Sequence, residues 1–316
     1  MLGYTIRRVF AIIPLIVAVA TITFLLMHSV EGGPFDSDKP LTPTQRENLE
    51  RRYGLSDSLP VQYIKYMGNL AQGDLGISLA NQDREITEII RERMSVSLQL
   101  GVLSFLFAAV LGLTLGTVSA LHQNGLGDYL GVFFATAGAA LPSFVIAPIL
   151  VIIFAVQFGW LNVLSSDYGF TQWFGGDFGN WRQMVLPTVA LCFLPMAFIA
   201  RITRAAMLEV LRQDYIRTAR AKGVEEFQVV LGHAMKNALI PVLTVMGPIF
   251  AGLITGSFII ERQFTIPGLG REFVNSVLIR DYGLIMGVTL FFTLVIAFMN
   301  LVVDLLYAVV DPRIRY

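Results

Sequence analysis

Side chains that commonly carry catalysis or bind metals are few in this sequence and lie far apart. The three histidines, His28, His122 and His233, fall in separate regions without the spacing of a metal site. Cys192 is the one cysteine, and its place inside an apolar run indicates a small packing residue. A glycine-rich phosphate loop of the pattern GxxxxGK followed by Ser or Thr does not occur. The sequence therefore predicts no enzyme active site, no metal site and no nucleotide site in this chain.

Asp304 is the acidic residue that adjoins the last apolar run. A carboxylate within a membrane can relay protons. No second carboxylate falls in any apolar run, and Asp311 follows within two helical turns. We therefore interpret Asp304 as a structural partner of a basic residue at the same end of the bundle, with a proton relay as the alternative.

A dense group of charges lies in the stretch DYIRTARAKGVEEFQVVLGHAMK, from Asp214 to Lys236. These charged side chains must lie in water, although the chain as a whole is 55% hydrophobic and only 15% charged. Alanine-rich residues favour a helix before Gly223, Gly223 fits a left-handed C-cap, and an amphipathic helix follows. Apolar residues of that second helix share one face: Val224, Phe227, Val230 and Leu231. We expect Phe227 and Val230 to be exposed on it.

Two kinds of partner fit this charged segment. A basic loop at a membrane surface contacts anionic lipid, at about 1 kcal/mol for each Lys or Arg. Lipid contact alone does not explain a glycine break followed by an apolar face. A short exposed helix with such a face instead fits a groove on another protein, which is the interpretation we prefer.

The elements that position this segment are apolar runs typical of a polytopic membrane protein. Mean hydropathy is +0.65, and crossing a hydrocarbon core of about 30 Å takes about 20 helical residues. The third run is too long to cross upright, and its prolines predict a kinked or tilted helix. The fold class is therefore all-α with six transmembrane helices, in the runs Val9–Val30, Ser97–Leu121, Tyr129–Trp160, Gln183–Ala200, Asn237–Ile260 and Gly283–Val303.

Six crossings place both termini on one side, and positive charge indicates the cytoplasm. In that orientation the inner segments carry eleven basic residues and the short outer loops four. The eight basic residues of segment 31–95 are discounted, because long segments cross largely regardless of charge. The predicted organisation is a retained N-terminal transmembrane helix (1–30), an extracytoplasmic segment (31–95), five helices (96–310) with a cytoplasmic loop at about 201–236, and a cytoplasmic tail (311–316). The formal net charge of zero argues against nucleic acid as a partner.

Segment 31–95 has the pattern of short soluble helices. Thr42 is a candidate N-cap with Pro43 at the first helical position. The residues Gly73-Asp74-Leu75-Gly76 are typical of a turn. We expect this segment to fold over the outer mouth of the bundle.

Several stretches, in order along the chain, resemble the B-type permease subunit of oligopeptide and dipeptide ABC importers. They are the arginine pair before the first helix, GDLGIS (73–78), PSFVIAP (142–148), ARITRAAMLEVL (200–211), DYIRTARAKG (214–223), PGLG (267–270), RDY (280–282) and the C-terminal VDLLYAVVDPRIRY. The loop motif of the wider family reads E-A-A, three residues, Gly. Ala219 and Gly223 match it, whereas Arg217 and Thr218 replace the Glu and the first Ala, departures similar to those of this subfamily.

The resemblance implies a type I ABC importer permease fold in the bacterial inner membrane. It implies a second homologous permease subunit in a heterodimer, two ABC ATPase subunits that bind ATP and Mg, an extracytoplasmic peptide-binding protein, and surrounding membrane lipid. No cofactor is expected in this chain itself. The loop residues expected to couple to the ATPases are Asp214, Ala219, Gly223, Val224, Glu225, Glu226 and Phe227.

The fifth run carries small residues that permit close helix approach and can leave a cleft at a subunit interface: Gly247, Ala251, Gly252, Thr255, Gly256 and Ser257. We expect a translocation pathway lined by Gly252, Thr255, Gly256 and Ser257, with Ser143 and Asn300 as neighbours. Simple helix packing is the alternative. Segment 31–95 is expected to contact the binding protein or close the outer mouth, rather than to be a passive cap.

Other functions remain open from the residues. Relatives of the same pattern carry nickel chelates or glutathione, and no residue chooses between those and peptides. A proton-coupled secondary transporter would need intramembrane acids, for which only Asp304 is available. A membrane scaffold or receptor would need no flux, so transport by a reconstituted complex separates that class from both transporters.

Overall fold

A computed structural model describes residues 2–29, 42–80, 84–159 and 181–310. No strand occurs among these residues, and Ile77 and Glu85 form an isolated antiparallel bridge. The predicted tail 311–316 and part of segment 31–95 lie outside them. The described helices are α1 (Leu2–Ser29), α2 (Pro43–Arg52), α3 (Leu59–Ala71), α4 (Ile86–Leu121), α5 (Leu126–Ala140), α6 (Ser143–Leu150), α7 (Trp181–Leu211), α8 (Asp214–Ala221), α9 (Glu226–Gln228), α10 (Lys236–Ile254), α11 (Phe258–Gln263), α12 (Leu269–Leu278) and α13 (Tyr282–Val310), with π-helical stretches at Val151–Gln157 and Val229–Met235.

Five described helical segments are long and apolar enough to cross a membrane, and they cover the described residues of five of the six predicted runs. The third predicted run differs, because α5 and α6 meet at 106° rather than forming one kinked or tilted helix. Leu141 has extended backbone and Pro142 is the N-cap of α6. The residue before a proline avoids helical backbone, which ends α5 at this point. The run is therefore a broken span or a re-entrant pair.

Helix α4 begins at Ile86 rather than at Ser97, so the predicted division between residues 95 and 96 falls inside one helix. Its 36 residues correspond to a length of about 54 Å, well beyond the hydrocarbon core. The additional turns are packed rather than free, since Ile86 and Ile89 are buried in a cluster with Leu269 and Leu284. The start of α4 is thus part of the helix bundle.

Helices α4 and α7 pack closely because glycine lies at their contact. A Cβ atom at Gly116 would lie 2.5 Å from the carbonyl oxygen of Ala200. Near the middle of α4, a Cβ atom at Gly101 would lie 2.5 Å from the carbonyl oxygen of Leu253 in α10. Small residues at such crossings let helix backbones approach closely. These contacts set α4 against both α7 and α10.

The described part of segment 31–95 contains the short helices that its pattern predicts. The Thr42 side chain accepts from the Gln45 N–H and the Gln45 side chain accepts from the Thr42 N–H, which confirms the predicted helix start as a capping box. The turn at 73–76 is also confirmed, with both glycines at positive φ. Helix α3 packs on α1, where the Tyr63 hydroxyl lies 2.7 Å from Thr21 Oγ1.

Candidate functional site

The charged segment Asp214–Lys236 follows α7 as a helix, a glycine turn and a second helix. Gly223 has a φ of 76° at the end of α8. The Val224 N–H donates to the Ala219 carbonyl at 3.2 Å, and the Gly223 N–H donates to the Arg220 carbonyl at 3.0 Å. This pair of hydrogen bonds is the Schellman form of a helix C-cap. The predicted left-handed glycine cap is therefore confirmed.

An ion pair spans the Gly223 turn. Arg220 donates to both carboxylate oxygens of Glu226 at 3.0 and 2.6 Å. This side-chain hydrogen bond raises the pKa of the Arg220 guanidinium above its usual value. Both side chains are about half exposed, so the pair contributes at most about 1 kcal/mol. At the start of α8, Asp214 lies 3.9 Å from Arg217.

The second helix of the loop has an exposed and a buried apolar side. Phe227 and Leu231 are 68% and 47% exposed, whereas Val229 and Val230 are buried. The expectation that Val230 is exposed beside Phe227 is therefore wrong. The helix changes to π-helical geometry at Val229, and its wider turns alter which residues share a face. Among the predicted coupling residues, Asp214, Gly223, Glu225, Glu226 and Phe227 are exposed, while Ala219 and Val224 are half-buried.

The buried side of the loop packs on the ends of α4 and α7. Ile216 of α8 is fully buried in a cluster with Met207 of α7 and Ala120 of α4. Ala219 and Val224 pack against the same cluster. Burying a side chain of the size of Ile or Met stabilises by about 1.5–3 kcal/mol. The loop is therefore packed directly against the ends of α4 and α7.

An ion pair between the buried Asp128 and the partly exposed Arg204 lies farther into the bundle, and no sequence pattern above indicated it. Arg204 of α7 donates to the two carboxylate oxygens of Asp128 in α5 at 2.6 and 2.7 Å. The Ser119 hydroxyl of α4 and the Asn124 N–H also donate to this carboxylate. Bidentate arginine–carboxylate pairs are among the stronger hydrogen-bonded contacts. The cluster joins α4, α5 and α7 close to the loop. Its one sign in the sequence is the position of Asp128, an acidic residue directly before an apolar run.

A second buried carboxylate lies at the opposite end of the bundle. Glu261 of α11 is fully buried. It accepts from the Ser97 hydroxyl of α4 at 2.7 Å and from the Arg271 N–H of α12 at 2.8 Å. The Ser97 hydroxyl in turn accepts from the Leu269 N–H at 2.8 Å. A Cβ atom at Gly268 would lie 2.5 Å from Glu261 Cδ, so glycine is required for this approach.

Two carboxylates besides Asp304 lie beside the predicted apolar runs. Glu261 directly follows the fifth run, in α11, and Asp128 directly precedes the third run, in α5. Asp304 itself lies 2.6 Å from Arg8, which confirms the expected basic partner at the same end of the bundle. Asp128, Glu261 and Asp304 thus all have partners that tie helices together.

The GDLGIS and RDY stretches meet through a third buried carboxylate. Asp281 is 1% exposed and caps α13 by accepting from the Leu284 N–H at 3.1 Å. It also accepts from the Ser78 hydroxyl at 2.5 Å and from the Leu79 N–H at 3.1 Å. An acidic side chain is favourable at a helix N-terminus. Asp281 therefore holds the end of segment 73–80 against the start of α13.

The predicted pathway residues lie where the fifth span breaks. Helix α10 ends at Ile254, and Thr255–Ser257 form the turn before α11, with Gly256 at a φ of 90°. Thr255 and Ser257 are half-buried. Ser143 is half-buried and Asn300 is exposed, and no hydrogen bond among the described residues joins either to this turn.

The small residues of α10 lie on two different faces of the helix, one open and one packed. Gly252 is exposed, and a Cβ atom there would meet no atom within 4 Å. Gly247 instead packs against α13, where a Cβ atom would overlap the Val303 side chain. Ala251 is also buried. The packing alternative therefore accounts for Gly247 and Ala251, whereas Gly252 lies on an open face.

Within the described ranges, no three His, Cys, Asp or Glu side chains are grouped so as to hold a metal ion. His28 lies against α3, with Nε2 3.2 Å from Gln62 Oε1, and Cys192 is buried. The prediction that Cys192 is a packing residue is therefore confirmed. The exposed Phe227 and Leu231 thus belong to a loop whose other side packs against α4 and α7.

Residues 1–101 match the family described as the N-terminal part of a binding-protein-dependent transport system membrane component. Residues 112–316 match the family described as binding-protein-dependent transport system inner membrane component. The chain is 41% identical to the oligopeptide transport system permease protein OppB of Haemophilus influenzae and 42% identical to OppB of Escherichia coli K12, over 316 residues and the whole of each protein. It is 40% identical to the dipeptide transport system permease protein DppB of Bacillus subtilis, covering all of this chain and 98% of that protein.

Proposed function

The chain belongs to the family of binding-protein-dependent transport system inner membrane components, and from this premise we propose that it is a permease subunit of an ATP-driven peptide importer. Full-length identity of about 40% to oligopeptide and dipeptide permeases supports peptides as the substrate class. In this proposal the chain forms half of the translocation pathway and hydrolyses nothing itself. Peptides are preferred over nickel chelates or glutathione because the relatives named above are peptide permeases.

Coupling proceeds through the exposed side of the Asp214–Lys236 loop. Two partner ATPase subunits bind ATP and Mg, and Phe227 enters a groove on one of them. When the ATPases close, the loop moves, and its buried cluster moves the ends of α4 and α7 with it. This is a rigid-body change of the kind that links distant sites in many proteins. The Asp128–Arg204 pair extends the moving body to α5.

The proposed orientation places the loop and both termini in the cytoplasm of a bacterial inner membrane. The excess of basic residues in the inner segments supports this direction. Helices α2 and α3 then face the binding protein, and Asp281 and Glu261 lie at the outer end. A second, homologous permease subunit completes the pathway as a heterodimer.

The pathway is proposed to pass the open face of α10 at Gly252 and the turn at Thr255–Ser257. Replacing Gly252 or Thr255 with cysteine, in a chain with Cys192→Ala, should give complexes whose uptake is blocked by a small thiol reagent. Leu126→Cys is the control, because Leu126 is 76% exposed but lies at the start of α5. Equal resistance of all three variants to the reagent would remove this face from the pathway.

The test of the proposed function is uptake of radiolabelled peptide by proteoliposomes that contain the complete complex and the peptide-loaded binding protein. We expect uptake to require ATP on the side of the membrane that carries the ATPase subunits. We also expect uptake to persist when a protonophore dissipates the proton gradient. Uptake that stops with the gradient would support the secondary transporter instead. An absence of flux in any condition would favour a scaffold or receptor.

A further inference from the structure

A cavity of about 610 Å³ opens between α4, α5 and α7, beside the Asp128–Arg204 pair. This volume is within the range of small-molecule sites, about 300–1,000 Å³. Alanine and glycine form much of its wall, including Gly131, Ala135 and Ala139 of α5. All three helices belong to segments that are long and apolar enough to cross a membrane, alone or as a bent pair. A cavity between such helices is open to lipid as well as to another protein chain.

The mouth of the cavity carries one uncompensated positive charge. The charge of Arg204 is compensated by Asp128. Arg201, one turn earlier on α7, is exposed and lies 5.5 Å from the Phe198 ring centroid. The structure records no ion pair between Arg201 and any described residue. Arg201 directly follows the apolar run 183–200, and this is the depth at which lipid headgroups lie.

We propose that this cavity is a binding site for an anionic phospholipid, with the phosphate at Arg201 and an acyl chain along the small residues of α5. A guanidinium matches phosphate geometry with two parallel hydrogen bonds. Basic pockets between transmembrane helices are suited to anionic headgroups. From Gly131 to Ala139 the helix rises about 12 Å, which accommodates a large part of an acyl chain. A protein partner fits less well, since it would need a carboxylate at headgroup depth to pair with Arg201.

The test uses the purified complete complex, titrated with phosphatidylglycerol or phosphatidylcholine and measured by native mass spectrometry. We expect the parent complex to prefer phosphatidylglycerol and Arg201→Gln to bind it at least about tenfold more weakly, since a hydrogen bond to a charged group is lost. Ala139→Leu, which adds bulk to the cavity wall near the end of α5, should weaken binding similarly. Arg212→Gln is the matched control, because Arg212 is exposed near the end of α7 and does not line the cavity.

Four results would overturn the lipid site. Arg201→Gln could bind phosphatidylglycerol like the parent, or Arg212→Gln could lose the same affinity, which would indicate non-specific attraction. Displacement of the lipid by millimolar inorganic phosphate would indicate a site for free anions. A cysteine at Thr136 that cross-links efficiently to another subunit would show that a protein fills the cavity. The proposal does not depend on which substrate is transported.

Discussion

Replacing Gly268 with alanine is expected to destabilise the protein by about 3 kcal/mol or more, because overpacking combines with lost hydrogen bonds. The new Cβ atom would lie 2.5 Å from Glu261 Cδ and 2.7 Å from Ser97 Oγ. Glu261 cannot move aside cheaply, since it is fully buried and held by donors from Ser97 and Arg271. The measurement is the midpoint of thermal unfolding of the assembled complex, together with its abundance in the membrane. Gly68→Ala is the control, because a Cβ atom at Gly68 in α3 would meet nothing within 4 Å.

Glu261→Gln tests the same cluster without adding an atom. One carboxylate oxygen becomes an NH₂ group that faces N–H donors, so at least one buried donor loses its acceptor, at a cost of about 1–3 kcal/mol or more. Glu272→Gln is the matched control, because Glu272 is 20% exposed and its contact with Arg93 is 3.7 Å long. If Gly268→Ala and Glu261→Gln are as stable as their controls, the cluster does not hold this end of the bundle together.

Gly223→Val is expected to abolish coupling while leaving the protein inserted in the membrane. Gly223 has a φ of 76°, and a β-branched residue there is strained by roughly 1–2 kcal/mol or more. Relief of that strain would rotate the second helix of the loop and displace Phe227. We expect peptide uptake and peptide-stimulated ATP hydrolysis to be lost together.

Gly232→Val is the matched control for that substitution. Gly232 lies in the same loop, is exposed, and a Cβ atom there would meet nothing within 4 Å. Its backbone does not have the positive φ of Gly223. A Gly223→Val complex that transports as well as the Gly232→Val complex would show that the glycine turn does not set the docking geometry.

Local patterns in the sequence predicted the helices and their caps well. The Thr42 capping box and the Gly223 cap depend on residues within a few positions of each other, so their physics is visible in a short stretch. The apolar runs predicted five spans for the same reason. The family resemblance, which rests on several motifs in order, is confirmed by the full-length relatives.

Contacts between distant residues could not be predicted in this way. Ser97 and Glu261 are 164 positions apart, and Ser78 and Asp281 are 203 apart. An acidic residue at the end of an apolar run gives no sign of its partner, so the contact of Glu261 with Ser97 was not predicted. Val230 was misplaced because π-helical geometry is not visible in the spacing of apolar residues.

The most direct test of coupling through the loop is the ATP hydrolysis rate of the complete complex carrying Phe227→Ala, measured with and without peptide-loaded binding protein. Phe133→Ala is the matched control, because Phe133 of α5 is 63% exposed and lies outside the loop. Truncating an aromatic anchor at an interface costs about 2 kcal/mol or more. We therefore expect stimulated hydrolysis and peptide uptake to fall together by on the order of tenfold or more, with the control unchanged. Parent-like stimulation and uptake in Phe227→Ala would contradict the docking role and leave lipid contact as the function of this loop.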